Sequence, residues 1–529
     1  MAIDPNLTQK NFLNKYRYLL PWVIVLLAVA ARLLPGPRTI DDAYITFRYA
    51  RHILAGLGFT FNPGEHVLGT TTPLYTLLMV GLGSLTGGAD APFPVLAWLL
   101  NAAADAASCY FLWKIGSRLG SRMAGFATAL VWAVASYSVT FAVGGMETSI
   151  YVLLLVSSVY TYLIGRYKTW ALLSGLAFLT RPDALILIGL LALDRLFRSL
   201  PKPGWRSLFS ELGVFLLTVL PWVIFAVLYF GSPLPNSIAA KTLAYRLPPE
   251  AGLIRLIQHY AVPFQEDSTF GVPAIAVGLV LYPFLYLVGL RRAWRSDRRS
   301  WAFLVYPWAY FAIYAIANPL LFRWYLTPPL PAYLFAILFG ADHLLASLFK
   351  KRSRADSPSG SSPRLVWVTA LLVVFVPFFF LLRAWEIHPD HGINRPAPGM
   401  AWYKLELIYQ QVSDLVVPSI RPGDTLAAGD VGVLGYYSSA RILDTVGLNS
   451  PQSIHYYPLD PSSYVINYAI PAELILDYHP RFVVFLEVYG RETLLKNPEF
   501  LKTYSLWQKI PTDIYESDGM LVYRRLTDA

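Results

Sequence analysis

Apolar runs recur along this chain at Tyr18–Leu34, 93–115, 122–142, 147–165, 208–230, 270–290, 301–318, 325–349 and 364–383. Each approaches the ~20 residues that a helix needs to cross hydrocarbon. That recurrence restricts the fold to a bundle of membrane helices. Composition agrees: 55% of the 529 residues are hydrophobic and 14% charged, against about a quarter charged in soluble domains. Mean hydropathy is +0.46. The net charge of +10 would point to nucleic acid in a soluble chain. Here the basic residues sit in short loops between apolar runs, where they set orientation, so no nucleic-acid partner is implied.

Loops rich in Lys and Arg stay in the cytoplasm. They include Lys114, Arg118 and Arg122, then Arg166 and Lys168, and further on Arg291, Arg292 and Arg295, then Lys350 and Lys351. With Lys10, Lys15 and Arg17 ahead of the first run, the N-terminus is expected inside; no small-x-small site marks that run as a cleaved signal. Two runs upset the parity. Residues 74–86 are too short to span, and are read as a juxtamembrane or re-entrant helix on the outer side. Residues 170–197 have basic flanks on both sides, so Thr180-Arg181-Pro182-Asp183 must split them into two half-helices, up and back. Pro182 biases Arg181 out of helical geometry. The expectation is about eleven membrane helices in residues 1–383, in the plasma (inner) membrane. Ser353–Pro363 should form a flexible cytoplasmic linker, and residues 384–529 should lie outside the cell.

The long first external loop, 35–92, is the most informative stretch. It opens with Thr39-Ile40-Asp41-Asp42-Ala43-Tyr44-Ile45-Thr46-Phe47-Arg48. Ala43, Phe47, Ala50 and Leu54 recur at helical spacing, and Gly56 provides a stop. One Asp explains a helix N-cap for residues 42–55. Two adjacent carboxylates at a membrane face ask for more.

This loop, with Phe61-Asn62-Pro63-Gly64-Glu65 and Thr71-Thr72-Pro73-Leu74-Tyr75, resembles the GT-C glycosyltransferases that use polyprenyl-phosphate sugars. It most resembles the cell-wall arabinofuranosyltransferases and their bacterial relatives, and more distantly the protein O-mannosyltransferases and lipid A aminoarabinose transferases. The resemblance implies a catalytic base in the acidic pair, with Asp41 as the base and Asp42 orienting it. Glu147, in the second external loop, would assist. Pro235-Asn236-Ser237 through Lys241 and Phe322-Arg323-Trp324-Tyr325 resemble donor-binding elements of the same group, which makes Lys241, Arg323, Arg181, Tyr325 and Asn236 the candidate contacts to donor phosphate and lipid. Tyr44, Arg48 and Thr72 are the candidate acceptor contacts. The reaction implied is inverting transfer of a sugar, such as the pentofuranose arabinose, to an extracytoplasmic glycan, lipid or protein. No cofactor is implied. The second external loop has a single Glu where oligosaccharyltransferases carry Asp-x-Asp, so a divalent cation is not supported.

Residues 384–529, about 145 in number, suffice for a soluble α/β domain. A helix is expected near Tyr403–Val417, and strands at Thr425–Ala428, Val433–Tyr437, Arg441–Leu443 and Phe482–Val488. Tyr504–Ile510 and Met520–Arg525 should close the domain as a hairpin. Gly429–Tyr437 lacks the GxGxxG spacing of a nucleotide loop. Asp430, Asp444 and Asn449 are read as turn and cap residues before sugar-cleft residues. Cys109 is the single cysteine, which excludes an intrachain disulfide, and the eight histidines have no HExxH spacing. Two other classes share the many spans: a lipid or sugar transporter or flippase, and an oligosaccharyltransferase or ligase with a diphosphate donor.

Overall fold

The computed structural model describes residues 19–197, 203–356, 368, 371–387, 394–438 and 440–526. Among these, five helices are long and apolar enough to cross a membrane: Phe93–Arg118, Trp205–Phe230, Val272–Ser296, Arg298–Ala317 and Leu330–Leu348. Arg122–Val134 and Ser136–Val143 make a sixth if their 45° bend lies within one span. Shorter apolar helices cover Pro21–Leu33, Pro73–Thr86, Thr148–Leu163 and Leu371–Arg383. The chain is a multi-pass membrane protein.

Backbones approach closely where glycines permit it. A Cβ on Gly289 would lie 2.0 Å from the Ala336 carbonyl, and one on Gly340 would lie 1.9 Å from that of Leu285. Small residues thus seat helix Val272–Ser296 against the helix beginning at Leu330, as membrane helix packing favours. An interior ion pair, Arg32 Nε to Asp105 at 3.1 Å, is completed by Ser149 donating to the same carboxylate at 3.0 Å. Buried charge persists when it is paired in this way.

The break expected at Pro182 is present. One helix ends at Thr180, Arg181 is extended at φ −154°, ψ 133°, and a new helix runs Leu185–Phe197. The last long helix starts at Leu330 rather than 325. Pro328 and Pro329 lack the amide donors a helix needs, and a 3-10 turn at Arg323–Leu326 precedes them. That helix continues to Asp356, so the first residues of the expected linker are helical, and 357–363 lie outside the described residues.

Beyond the membrane helices, β1 (Trp385–Glu386) and β2 (Ala397–Pro398) form a small antiparallel pair. A mixed sheet then has β3 (Thr425–Ala428) flanked in parallel by β4 (Arg441–Asp444) and β5 (Phe482–Leu486). The antiparallel β7 (Met520–Arg525) and β6 (Tyr504–Ile510) complete it, in the order β4-β3-β5-β7-β6. Helix Lys404–Val416 covers the expected amphipathic segment.

Val433–Tyr437 is not a strand. It lies in helix Gly432–Ser438, whose two ends are satisfied by one helix of the first loop, Asp41–Leu54. The backbone N–H groups of Gly432 and Val433 donate to the Asp41 carboxylate at 2.9 and 2.8 Å. At the other end Arg48 donates to the carbonyls of Gly435 and Ala440, the latter at 2.7 Å. Seven residues of helix rise about 10.5 Å, so Asp41 and Arg48 match the length of the short helix they cap.

Candidate active site

Residues 38–40 are clipped to the loop at Val143–Glu147. Arg38 N–H donates to the Val143 carbonyl at 2.8 Å, and Ile40 N–H to that of Gly144 at 3.0 Å. A Cβ on Gly144 would lie 2.6 Å from Ile40 Cδ1, and Gly145 has φ 71°. This Gly-Gly turn therefore lets the first loop lie against it. Helix Asp41–Leu54 then starts beside Glu147. Its N-cap is Ile40, with no side-chain cap bond, so Asp41 does not cap its own helix.

A cavity of about 210 Å³ opens at this junction. Asp42, Thr72, Glu147, Arg181, Lys241 and Tyr325 all line it. Asp42 is half-buried and makes no hydrogen bond or ion pair with the described residues. Lys241 comes from helix Asn236–Ala244 and has no carboxylate partner among the described residues; its ammonium sits 4.6 Å from the Phe322 ring centre. Arg181 is already engaged: Nη1 meets Glu147 at 3.2 Å, and Nε and Nη2 meet Asp183 at 3.1 Å each. The Tyr325 ring lies 4.6 Å from its guanidinium carbon. Asp183 also accepts from the Tyr310 and Tyr314 hydroxyls at 3.2 Å.

Five of the residues singled out in the sequence lie elsewhere. Asp41 is buried with both carboxylate oxygens taken by Gly432 and Val433, as described above. Burial, and Asp430 nearby, push its carboxyl well above the usual range. Arg48 is 2% exposed and faces backbone carbonyls, not the cavity. Tyr44 leans on Tyr436 and Tyr437, with ring centres 5.2 and 5.6 Å away. The Asn236 side chain donates to the Gly447 and Leu448 carbonyls at 2.5 and 3.1 Å. Arg323 lines a different cavity. All but Arg323 bind the first loop or helix Asn236–Ala244 to the C-terminal domain.

Asp183 was missed. The signal was available in Arg181-Pro182-Asp183, since an Arg near hydrocarbon needs a partner and the nearest acid stands two residues on. Asp444 does take the turn role expected of it, accepting N–H groups from Val446, Gly447 and Asn449 at 3.0, 2.9 and 2.8 Å. Among the described residues, no group of three or more His, Cys, Asp or Glu side chains is placed to hold a metal ion.

Known structures identify the architecture. Over 97% of this chain and 75% of the other, it superposes on the Archaeoglobus fulgidus oligosaccharyltransferase at TM-score 0.55 and 12% identity. It superposes on ArnT from Cupriavidus metallidurans over 96% of this chain and 98% of the other, at TM-score 0.54 and 13% identity. The fold is GT-C. At these identities the likeness establishes fold and not activity. The mycobacterial arabinofuranosyltransferase AftD aligns at TM-score 0.42 and 15% identity, over 96% of this chain and 41% of the other, which does not single out that group. Within the C-terminal part, residues 401–523 match a family described as a domain of unknown function (DUF8728). No curated protein matches the chain. The cavity is walled by the first loop and by the loop at Met146 and Glu147 together.

Proposed function

We propose that this protein is a membrane glycosyltransferase that moves a sugar from a polyprenyl-phosphate donor to an acceptor hydroxyl, with inversion. The observation that carries the reading is the meeting in one cavity of a carboxylate, Asp42, and an ammonium, Lys241, that have no ion-pair or hydrogen-bond partner among the described residues. Asp42 takes the proton as the acceptor oxygen attacks the anomeric carbon. The C–O bond to phosphate breaks, and Lys241 stabilises the charge on the departing polyprenyl phosphate. Arg181 is a positioning residue, since Glu147 and Asp183 already neutralise it. Asp42 replaces Asp41 as the base because a general base must reach the proton it abstracts.

The finer choice of sugar and acceptor rests on the sequence resemblance, which favours a pentofuranose such as arabinose and an extracytoplasmic acceptor. The test is turnover by detergent-purified protein, without any ion gradient, on a panel of polyprenyl-phosphate pentoses and hexoses. Transfer without a gradient supports an enzyme; absence of turnover across the panel, with gradient-driven uptake in vesicles, would make it a transporter.

Lys241→Ala is expected to weaken donor turnover by about ten- to a hundredfold with the fold intact, the scale of one or two charge-assisted contacts of roughly 1.5–3 kcal/mol. Unchanged steady-state kinetics would remove Lys241 from the site.

The basic loops favour an orientation with the cavity and the C-terminal domain outside the cell. In a Cys109→Ala background, Ser462→Cys, at an exposed position of that domain, should label with an impermeant maleimide in intact cells. Thr169→Cys, exposed beside Lys168, should label only after permeabilisation. The opposite pattern inverts the whole orientation.

A further inference from the structure

A second cavity, about 510 Å³, lies between the outer ends of the membrane helices and the C-terminal domain, within the size range of ligand pockets. Among the described residues it shares only Trp324 with the first cavity. Trp324 stacks on Phe322, with ring centres 4.6 Å apart and planes 7° off parallel.

The membrane side of this cavity carries Arg255 and Arg323. Neither forms an ion pair or hydrogen bond with the described residues. Burial and the like charge of Arg323 hold the Arg255 guanidinium below its usual range. The opposite side carries Glu406 and Asp430, raised to about 7 and about 6, chiefly by burial. Asp430 follows β3, and β4 and β5 flank β3 on opposite sides. The crevice outside the carboxyl ends of such parallel strands, where the strand order reverses, is where open α/β sheets bind ligands.

Aromatic rings complete the wall, among them Tyr245, Trp402, Tyr489 and Tyr515. Tyr515 has φ 54°, ψ 33°, a left-handed conformation that costs a bulky residue energy and concentrates at functional sites. It holds the ring within the fields of Asp430, Arg323, Glu406 and Arg255 together.

We propose that this second cavity binds the acceptor, and that the acceptor is a saccharide bearing a negatively charged group, a uronate carboxylate or a phosphate ester. The acceptor role rests on the first cavity being the transfer site. Arg255 and Arg323 take the anion, because guanidinium forks match both groups. Aromatic faces pack on the apolar side of the sugar ring, and Glu406 and Asp430 accept its hydroxyls. A bare lipid phosphate would use the cations but leave Glu406, Asp430 and the aromatic rings without partners.

The test is a binding titration on the full-length protein in detergent, read by tryptophan fluorescence and calorimetry, with tetragalacturonate, glucose 1-phosphate and neutral maltotetraose. At least one anionic probe should saturate, and maltotetraose should bind about tenfold more weakly or worse. The Arg255→Gln/Arg323→Gln double variant should weaken that anionic probe about tenfold or more, while Lys241→Ala should leave it unchanged. Whichever anionic probe binds names the group. Equal binding of neutral and anionic probes, no saturation by either anion, or full affinity in the double variant overturns the proposal. Equal loss in Lys241→Ala overturns it too, by assigning the anion to the first cavity. Because binding is the readout, failed transfer beside intact Arg-dependent binding counts against the transfer reading and with it the acceptor role, but leaves the anionic saccharide site standing.

Discussion

Asp42→Asn is expected to slow single-turnover transfer by ~10²- to 10⁴-fold, the usual cost of losing a general base, with a melting curve like the parent's. Asp42 bonds to no described residue, so its amide leaves no tertiary contact broken. Asp41→Asn should do the reverse. Its carboxylate accepts from two backbone N–H groups, one on each oxygen. An Asn offers one oxygen and one NH₂, which sets a donor against a donor. A buried N–H left unpaired costs roughly 1–3 kcal/mol, so this variant should melt earlier while its folded fraction transfers within a few-fold of the parent. Single-turnover rates and melting curves on both variants separate the roles. Full activity in Asp42→Asn with loss in Asp41→Asn would restore Asp41 as the base and remove the cavity as the transfer site.

The acidic pair also marks how far sequence reasoning reaches. Helix 41–54, the break at Arg181 and the closing hairpin were legible because short-range chemistry decides them: apolar spacing, a proline, alternating strands. Which acid faces the cavity was not. Adjacent helical residues point about 100° apart, and the partner that claims Asp41 lies 391 residues away. The same distance hid the helix at Gly432–Ser438: seven β-tolerant residues fold as a helix because Asp41 and Arg48 arrive to cap them. Motif residues with long polar side chains, Arg48 and Asn236, looked like ligand contacts from the sequence. Both Nη groups of Arg48 and the amide of Asn236 are spent on backbone carbonyls of the C-terminal domain. Arg323, expected beside Lys241 at the donor, stands in the 3-10 turn Arg323–Leu326 and lines the second cavity, whereas Lys241 lines the first.

That division of labour predicts a large effect far from the chemistry. Arg48 Nε donates to the Phe61 carbonyl at 2.7 Å, Nη2 to that of Ala440 at 2.7 Å, and Nη1 to that of Gly435. Its guanidinium carbon sits 4.7 Å from the Phe61 ring centre. It has no carboxylate partner among the described residues, so three carbonyl dipoles and the end of the short helix stabilise the charge. Arg48→Met keeps most of the volume and removes all three donors. At the low end of roughly 1 kcal/mol per buried carbonyl left unpaired, the two carbonyls across the interface, those of Gly435 and Ala440, account for about 2 kcal/mol, on the order of thirtyfold in the equilibrium that docks the C-terminal domain. Arg48→Lys should recover little, since one ammonium cannot span a fork of three acceptors. Hydrogen exchange is the measurement: amides of residues 432–438 and of β4 should lose protection in Arg48→Met, while those of helix Val272–Ser296 stay as they are. Transfer should fall with docking, because the C-terminal domain holds Leu448 against the cavity proposed for transfer and Asn236 at the start of the helix that presents Lys241. Equal protection in parent and variant would mean that the clamp contributes nothing to docking, and that Arg48 is free for a role at the substrate.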